Sequence, residues 1–101
     1  MENQHRLIKT YRELNQTEID LMNECKLLEA QFHVLHEKIG NHVQKQCNDA
    51  DISDDNTEYD RLAQATPYRW LDVSKTNVEQ GFMALVRAVA QPASPRLEKD
   101  N

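Results

Sequence analysis

The chain is poor in the residues that interrupt helices, with two glycines and three prolines among 101 residues. Glycine and proline supply the backbone conformations of tight turns, so a sheet built from several β-hairpins is disfavoured. Long helices are correspondingly easy to form. Hydrophobic residues make up 39% and charged residues 29% of the chain, which is typical of a folded protein rather than a disordered one. We therefore predict an all-α fold in a single domain spanning residues 1–101.

Long hydrophobic runs are also absent. No segment approaches the roughly 18 consecutive apolar residues that a membrane span needs. The polar residues 1–6 lack the apolar stretch of a signal peptide. We therefore expect no contact with a membrane and a location in the cytoplasm.

Positive charge is scarce, because 12 Lys and Arg residues stand against 17 Asp and Glu residues and give a net charge of −5. Binding along a nucleic-acid duplex needs many cations to displace counterions, so a duplex is not an expected partner. A small anionic ligand needs only a few local cations and remains compatible with this charge.

Three helical segments are predicted from the spacing of the apolar residues: a short N-terminal helix over residues 4–14, a second helix over 17–47 and a third over 58–91. Thr17 and Asp20 are predicted to form the capping box of the second helix.

The connections between these segments are predicted from turn-forming and charged residues. The acidic stretch 48–57 has no periodicity and is predicted to be a solvated loop. Pro67 lies inside the third segment, where its ring removes a backbone hydrogen bond, so we expect a kink or a restart there with Thr66 as the cap. Residues 93–101 are predicted to be a polar tail.

Two apolar seams predict how the long helices meet. Steps of four and three residues separate the seam residues of the second helix, which are Leu21, Cys25, Leu28, Phe32, Leu35 and Ile39. The matching seam of the third helix is Leu71, Val78, Phe82, Leu85 and Val89. Together they predict a long antiparallel hairpin.

The third helix offers more apolar surface than one partner helix covers. Its apolar residues span an arc of roughly 160°, and Gly81, Ala84 and Ala88 would let a second backbone approach closely. A chain this short is poorly stabilised by its own core, so we predict assembly as a homo-oligomer. A monomeric three-helix bundle, in which the N-terminal helix covers the extra surface, is the alternative.

The sequence contains no motif that is typical of a catalytic site. The sequence has no glycine-rich phosphate loop and no nucleophile elbow. Cys25 and Cys47 lie on one predicted helix about 33 Å apart, too far for a disulfide, and are expected to be reduced. Glu29, His33 and His36 share one side of that helix, but a solvated polar face is favoured over a metal site. We therefore predict no enzymatic activity, no metal and no cofactor.

Cations and an aromatic ring are concentrated near the N-terminus, in His5, Arg6, Lys9, Tyr11 and Arg12, with Lys26 following on the second helix. An aromatic ring can stack on a base, and Arg and Lys can donate to phosphate. A cyclic oligonucleotide combines both chemical features. The alternative is that Tyr11 anchors the N-terminal helix in the core and the cations keep that helix soluble.

The same segment carries a resemblance to a known family. Residues 3–14, Asn-Gln-His-Arg-x-Ile-Lys-x-Tyr-Arg-Glu-Leu, and residues 18–23, Glu-Ile-Asp-Leu-Met-Asn, resemble the start of the phage anti-CBASS cyclic-nucleotide sponges. Near the other end, Arg69-Trp70, Thr76 and residues 80–85 and 87–92 are similar to the end of that family. Its hairpin domain is shared with phage anti-Thoeris sponges. The resemblance leaves residues 27–65 uncovered.

The resemblance implies a function and its ligands. Members form homohexamers in the host bacterial cytoplasm. They bind cyclic dinucleotides such as 3′,3′-cyclic GMP–AMP between subunits and release them uncleaved, which deprives CBASS effectors of their signal. Many members also bind cyclic trinucleotides in separate pockets.

The resemblance also implies roles for individual residues. Tyr11 matches the tyrosine that stacks on a base, and Lys26 matches the lysine that binds phosphate. Arg6, Lys9 and Arg12 match the surrounding basic motif. For the trinucleotide pocket, the corresponding residues are Arg69 and Ser94.

One competing hypothesis is a helical adaptor or structural protein that binds another protein through the apolar face of the third helix. It predicts a protein partner and no small-molecule ligand. A DNA-binding regulator is disfavoured by the net charge, and an enzyme that degrades the signal is disfavoured by the lack of a nucleophile.

Overall fold

The computed structural model describes residues 12–54 and 56–93. Regular structure in these residues is helical throughout, in three helices: α1 (Gln16–Ser53), α2 (Asn56–Ala65) and α3 (Pro67–Ala90). The predicted all-α fold is confirmed. The N-terminal helix predicted over 4–14 and most of the polar tail predicted over 93–101 lie outside the described residues.

Helix α1 begins at a capping box, although not at the residues that the sequence suggested. The Asn15 side chain accepts from the Glu18 backbone amide, and the Glu18 carboxylate accepts from the Asn15 amide, both at 2.9 Å. The prediction of Thr17 and Asp20 as the box was therefore wrong by two residues. Asn15 caps as well as threonine or better, and Glu18 completes the box with the residue usually found there.

The loop predicted over 48–57 is mostly helical, because α1 continues through Gly40 and Asn48 to Ser53. Its acidic residues fit a solvated helix, in which Lys45 Nζ lies 2.8 Å from the Asp49 carboxylate one turn later. Ala50, 3% exposed, is buried in the same stretch. Asp54 ends the helix in the left-handed conformation, with φ 54°, and α2 begins at Asn56.

The predicted interruption near Pro67 is confirmed, and it separates two helices. Pro67 is the first residue of α3, where its missing amide hydrogen costs nothing. Thr66 stands at the cap position with φ 46° and ψ 57°, a left-handed conformation that β-branched residues rarely adopt. Its hydroxyl donates to the Ala65 carbonyl at 2.8 Å and makes no cap hydrogen bond. The break therefore depends on proline geometry, with threonine under strain.

Helices α1 and α3 form the predicted antiparallel hairpin. Tyr68 near the start of α3 donates from its hydroxyl to Gln44 Oε1 at 2.7 Å. Arg12, just before α1, reaches the last residues of α3. At about 1.5 Å per residue, the 38 residues of α1 extend for about 57 Å.

The stripe of α1 that is at least partly buried differs from the predicted seam. It runs through Met22, Cys25, Glu29, Phe32, His36, Gly40, Val43, Cys47 and Ala50, and Glu18, His33 and Gln46 are also partly buried. Leu21, Leu28, Leu35 and Ile39 were predicted to belong to it and are instead 43–55% exposed. Cys25 and Phe32 belong to both stripes. The observed stripe adds Met22, Glu29 and His36 on one side of them, whereas the predicted seam adds Leu21, Leu28 and Leu35 on the other side. Steps of four residues, from Phe32 through His36 to Gly40, keep the observed stripe in place.

Helix α3 agrees better with its predicted seam. Leu71, Val78, Phe82 and Val89 are partly buried. Leu85 is 52% exposed, and its neighbour Val86 is partly buried. Elsewhere on α3, Trp70 is 59% exposed. Gly81 is also open, since nothing lies within 4 Å of a Cβ atom placed on it.

A buried core is almost lacking within the described chain. The hydrophobic residues buried there are Val43, Ala50 and Leu62, where α2 folds back against α1. None of the described helices combines the length and the hydropathy needed to cross a membrane.

The strain at Thr66 gives a stability prediction. Replacing Thr66 with glycine removes the left-handed penalty of a β-branched residue and should raise the free energy of unfolding by about 0.5–1 kcal/mol, after the entropy cost of glycine. Thr76→Gly, at an exposed position inside α3, should instead lower it by about 0.3–0.5 kcal/mol. Urea denaturation followed by circular dichroism, at matched protein concentration, measures both. A loss of stability in Thr66→Gly would contradict the assigned conformation.

Candidate functional site

The open end of the hairpin is closed by one guanidinium group. Arg12 Nε donates to the Ala90 carbonyl at 2.8 Å, and Nη2 donates to the Val89 carbonyl at 3.0 Å. The same Nη2 lies 2.6 Å from a carboxylate oxygen of Glu18. Arg12 therefore joins the beginning of α1 to the end of α3, and we call these contacts the Arg12 clamp.

The charges of the clamp match the ends of the two helices. The final carbonyls of α3 have no partner within their helix and carry partial negative charge, which a cation stabilises. Glu18 lies in the first turn of α1, where a carboxylate is favoured. The hydrogen bond from Arg12 and, after it, the amide of Asn15 lower the pKa of Glu18 from its ordinary value of 4.5.

Two of the predicted dinucleotide-binding residues, Arg12 and Lys26, fall within the described residues. Lys26 is exposed on α1, eight residues or about 12 Å along the axis from Glu18. Both cations are thus on the same half of the hairpin. Tyr11, Arg6 and Lys9 lie outside the described residues, so their predicted roles stay predictions.

Of the two residues predicted for the trinucleotide pocket, Arg69 lies at the other end of the hairpin. Arg69 lies in the first turn of α3, with its guanidinium carbon 5.7 Å from the ring centre of the exposed Trp70. Twenty-one residues separate Arg69 from Ala90, or about 31 Å along the helix. The structure therefore keeps Arg69 well apart from the Arg12 clamp. Ser94 lies outside the described residues.

A cleft of about 330 Å³ lies near Arg69, at the place where α2 folds back. Two tyrosine side chains, Tyr59 and Tyr68, line it together with Asp51 and Cys47. Apolar walls and two phenol rings suit a flat organic group. No pattern in the sequence indicates this cleft, because its walls come from all three helices and depend on the turn at Asp54.

His33 and His36, which share one side of the predicted helix, have different partners in the structure. The Nε2 atom of His36 lies 2.9 Å from the Leu71 carbonyl, which can only accept, so this nitrogen carries the hydrogen. His33 instead lies between Glu29 and Glu79. Glu79 was missed by the sequence analysis because its position opposite His33 depends on the register of α1 against α3.

The sequence of this chain is similar to a known family of hairpin domains and to a named phage protein. The profile of the family described as Acb2/Tad1, hairpin domain, matches residues 3–90. The chain is also similar to Anti-CBASS protein 2 of Pseudomonas phage JBD67, with 37% identity over 105 aligned positions, covering 91% of this chain and 97% of the relative. Both matches extend across residues 27–65, which the resemblance of the two ends had left uncovered.

The Arg12 clamp predicts a pH-dependent loss of stability. Arg12→Gln removes the guanidinium and should lower the melting temperature at pH 7, whereas Lys38→Gln, at an exposed lysine of α1, should change it little. The lowered pKa of Glu18 means that its charged form stabilises the folded state above the ordinary value of 4.5, and that this contribution is lost as the pH falls through the lowered pKa.

The difference between wild type and Arg12→Gln should therefore narrow in acid, without vanishing, because the carbonyls of α3 do not titrate. Thermal melts at pH 7 and at pH values below 4.5 measure this difference. Equal stability of the two proteins at pH 7 would contradict the clamp.

Proposed function

The chain belongs to the family of Acb2/Tad1 hairpin domains, and from this premise we propose that it is a phage immune-evasion protein that binds and sequesters cyclic nucleotide second messengers. The ligands are cyclic dinucleotides such as 3′,3′-cyclic GMP–AMP. The protein holds them without cleaving them, and CBASS effectors in the host bacterial cytoplasm are left without their activating signal.

One observation carries this proposal. The similarity to a protein named for its action against CBASS covers 91% of this chain and 97% of the relative. Two chains that align over almost their full lengths at 37% identity share a fold. The cations and aromatic residue of the N-terminal segment supply the chemistry for a cyclic dinucleotide.

Each proposed site residue has a task that its chemistry allows. The Tyr11 ring stacks on a base, and Lys26 donates its ammonium protons to a phosphate. Arg6 and Lys9 add positive charge around the ligand. Arg12 directly follows Tyr11 in the chain, and its clamp to α3 fixes the point from which the N-terminal segment departs. None of these tasks breaks a bond in the ligand.

Self-assembly is part of the proposal, with the homohexamer as the expected state. Large hydrophobic residues stay exposed on two faces of the described chain, including Leu28 at 55% and Leu35 at 54% on α1 and Leu85 at 52% on α3. Packing of hairpin against hairpin would bury them and bring the ligand residues of different copies together. In the same assembly, Arg69 and Ser94 would bind a cyclic trinucleotide.

The adaptor hypothesis is supported by exposed hydrophobic residues on α3. Trp70 and Val73 on α3 are 59% and 38% exposed, and Gly81 on the same helix is open to close approach. Light scattering after size-exclusion chromatography separates the two hypotheses. A mass of six times 11.8 kDa supports self-assembly. A monomer that binds no nucleotide would favour the adaptor.

Calorimetric titration of the full-length protein with 3′,3′-cyclic GMP–AMP tests the function. We expect a dissociation constant in the nanomolar range, which corresponds to about −12 kcal/mol. Proteolysis of the saturated complex, followed by chromatography, should recover intact ligand. Degraded ligand would identify an enzyme, and no binding to a panel of cyclic di- and trinucleotides would overturn the proposal.

Substitutions at the two main ligand residues test their roles. Tyr11→Ala and Lys26→Ala should abolish dinucleotide binding and leave the assembly intact. Tyr11→Phe keeps the stacking ring and should bind, and Lys38→Ala removes a lysine elsewhere on α1 and should bind as the wild type does. If Tyr11→Ala or Lys26→Ala dissociated into monomers, the residue would be structural.

A further inference from the structure

A histidine and two glutamates meet between α1 and α3, away from the Arg12 clamp. Glu29 and His33 are one turn apart on α1, and Glu79 comes from α3 across the hairpin. His33 Nε2 lies 3.8 Å from Glu29 Oε2 and 3.6 Å from Glu79 Oε2. One potential ligand atom from each of the three residues falls within 4.8 Å of the other two.

The spacing of these atoms is close to that of a metal site. Ligand atoms about 2.0–2.2 Å from a tetrahedral Zn²⁺ lie about 3.3–3.6 Å from one another. The observed distances of 3.6 and 3.8 Å around His33 differ from this by a few tenths of an ångström. The carboxylate oxygens of Glu29 and Glu79 lie within 4.8 Å of each other, so binding of one ion requires these two side chains to rotate toward it.

The charges of the cluster also favour a divalent cation. With neutral imidazole, the two carboxylates give the cluster a charge of −2, which a divalent ion balances. Neutral imidazole and carboxylate are the ligands that Zn²⁺ and similar transition-metal ions take in proteins.

The surroundings hold the ligands in place and keep the site accessible. His33 packs edge-on against Phe32, with ring centres 5.3 Å apart. The side chains of Glu29, His33 and Glu79 are 33%, 39% and 40% exposed, so an ion can enter and water can complete its coordination.

We propose that Glu29, His33 and Glu79 bind one divalent transition-metal ion of the Zn²⁺ class, which cross-links α1 to α3 in the middle of the hairpin. The site is structural: it holds the two helices together independently of nucleotide binding. His36, whose Nε2 donates to the Leu71 carbonyl, is not part of this cluster of potential ligands.

Metal-dependent stability tests the proposal on the full-length chain. The protein is stripped with EDTA, dialysed and melted with increasing ZnCl₂. We expect the melting temperature of the wild type to rise with Zn²⁺ concentration. His33→Gln and Glu79→Gln should weaken Zn²⁺ binding by at least about tenfold, since even residues that only support a metal ligand have effects of that size.

Matched controls exclude other zinc-binding groups. His42→Gln and Glu37→Gln, at exposed positions of α1, should respond to Zn²⁺ as the wild type does. So should Cys25→Ser/Cys47→Ser, which removes both thiols. Circular dichroism of each variant in EDTA verifies that it folds, and Co²⁺ absorption of the wild type should lack the thiolate-to-cobalt band of a cysteine site.

Three results would overturn the proposal. One is an unchanged melting temperature of the wild type with Zn²⁺, which would leave the cluster as an ion-pair contact between the helices. The second is a response of folded His33→Gln and Glu79→Gln equal to that of the wild type. The third is loss of the response in the cysteine double variant, which would assign the ion to the thiols.

Discussion

Two helices lying side by side can each bury only one stripe, and this constraint governs the rest of the described structure. The buried hydrophobic residues Val43, Ala50 and Leu62 cluster near the turn, where α2 supplies a third helix. Elsewhere the hairpin is two helices thick, so polar contacts assist in holding it together. Tyr68 with Gln44, His36 with the Leu71 carbonyl and Arg12 with the end of α3 follow one another from the turn to the open end.

The sequence predicted the fold class, the antiparallel hairpin and the break at Pro67, because these follow from helix propensity, long apolar patterns and the missing amide of proline. The sequence did not identify the cap of α1, because two nearby pairs of residues could both form it. Asn15 with Glu18 and Thr17 with Asp20 are both credible capping pairs, and only the structure distinguishes them. The seam of α1 failed for another reason. Cys25 and Phe32 continue either into the row of Leu21, Leu28 and Leu35 or into the row of Met22, Glu29 and His36, and hydrophobicity favours the leucines although the second row is the more buried.

The candidate sites were predictable to the extent that they lie on one segment. Lys26 and Arg12 could be singled out from cationic residue type near an aromatic, but the bonds of Arg12 to residues 89 and 90 could not, because they join positions 77 and 78 residues apart. The same holds for Glu79, which acquires its neighbours only through the register of the two helices. The tyrosine-lined cleft requires the turn at Asp54, and the acidic stretch around it suggested a loop.

The Arg12 clamp lies at the end of the hairpin that is farthest from the turn at Asp54. Closing a loop of nearly eighty residues in one step costs considerable chain entropy, but a hairpin that zips from the turn brings these ends together one helical turn at a time. We therefore expect the clamp to form after the contacts near the turn and to open before them. Amide hydrogens near the start of α1 and the end of α3 are then expected to exchange by local opening, and those around Val43 and Leu62 only when more of the hairpin opens. The segment that carries Tyr11 is thus attached to the least protected end of the molecule.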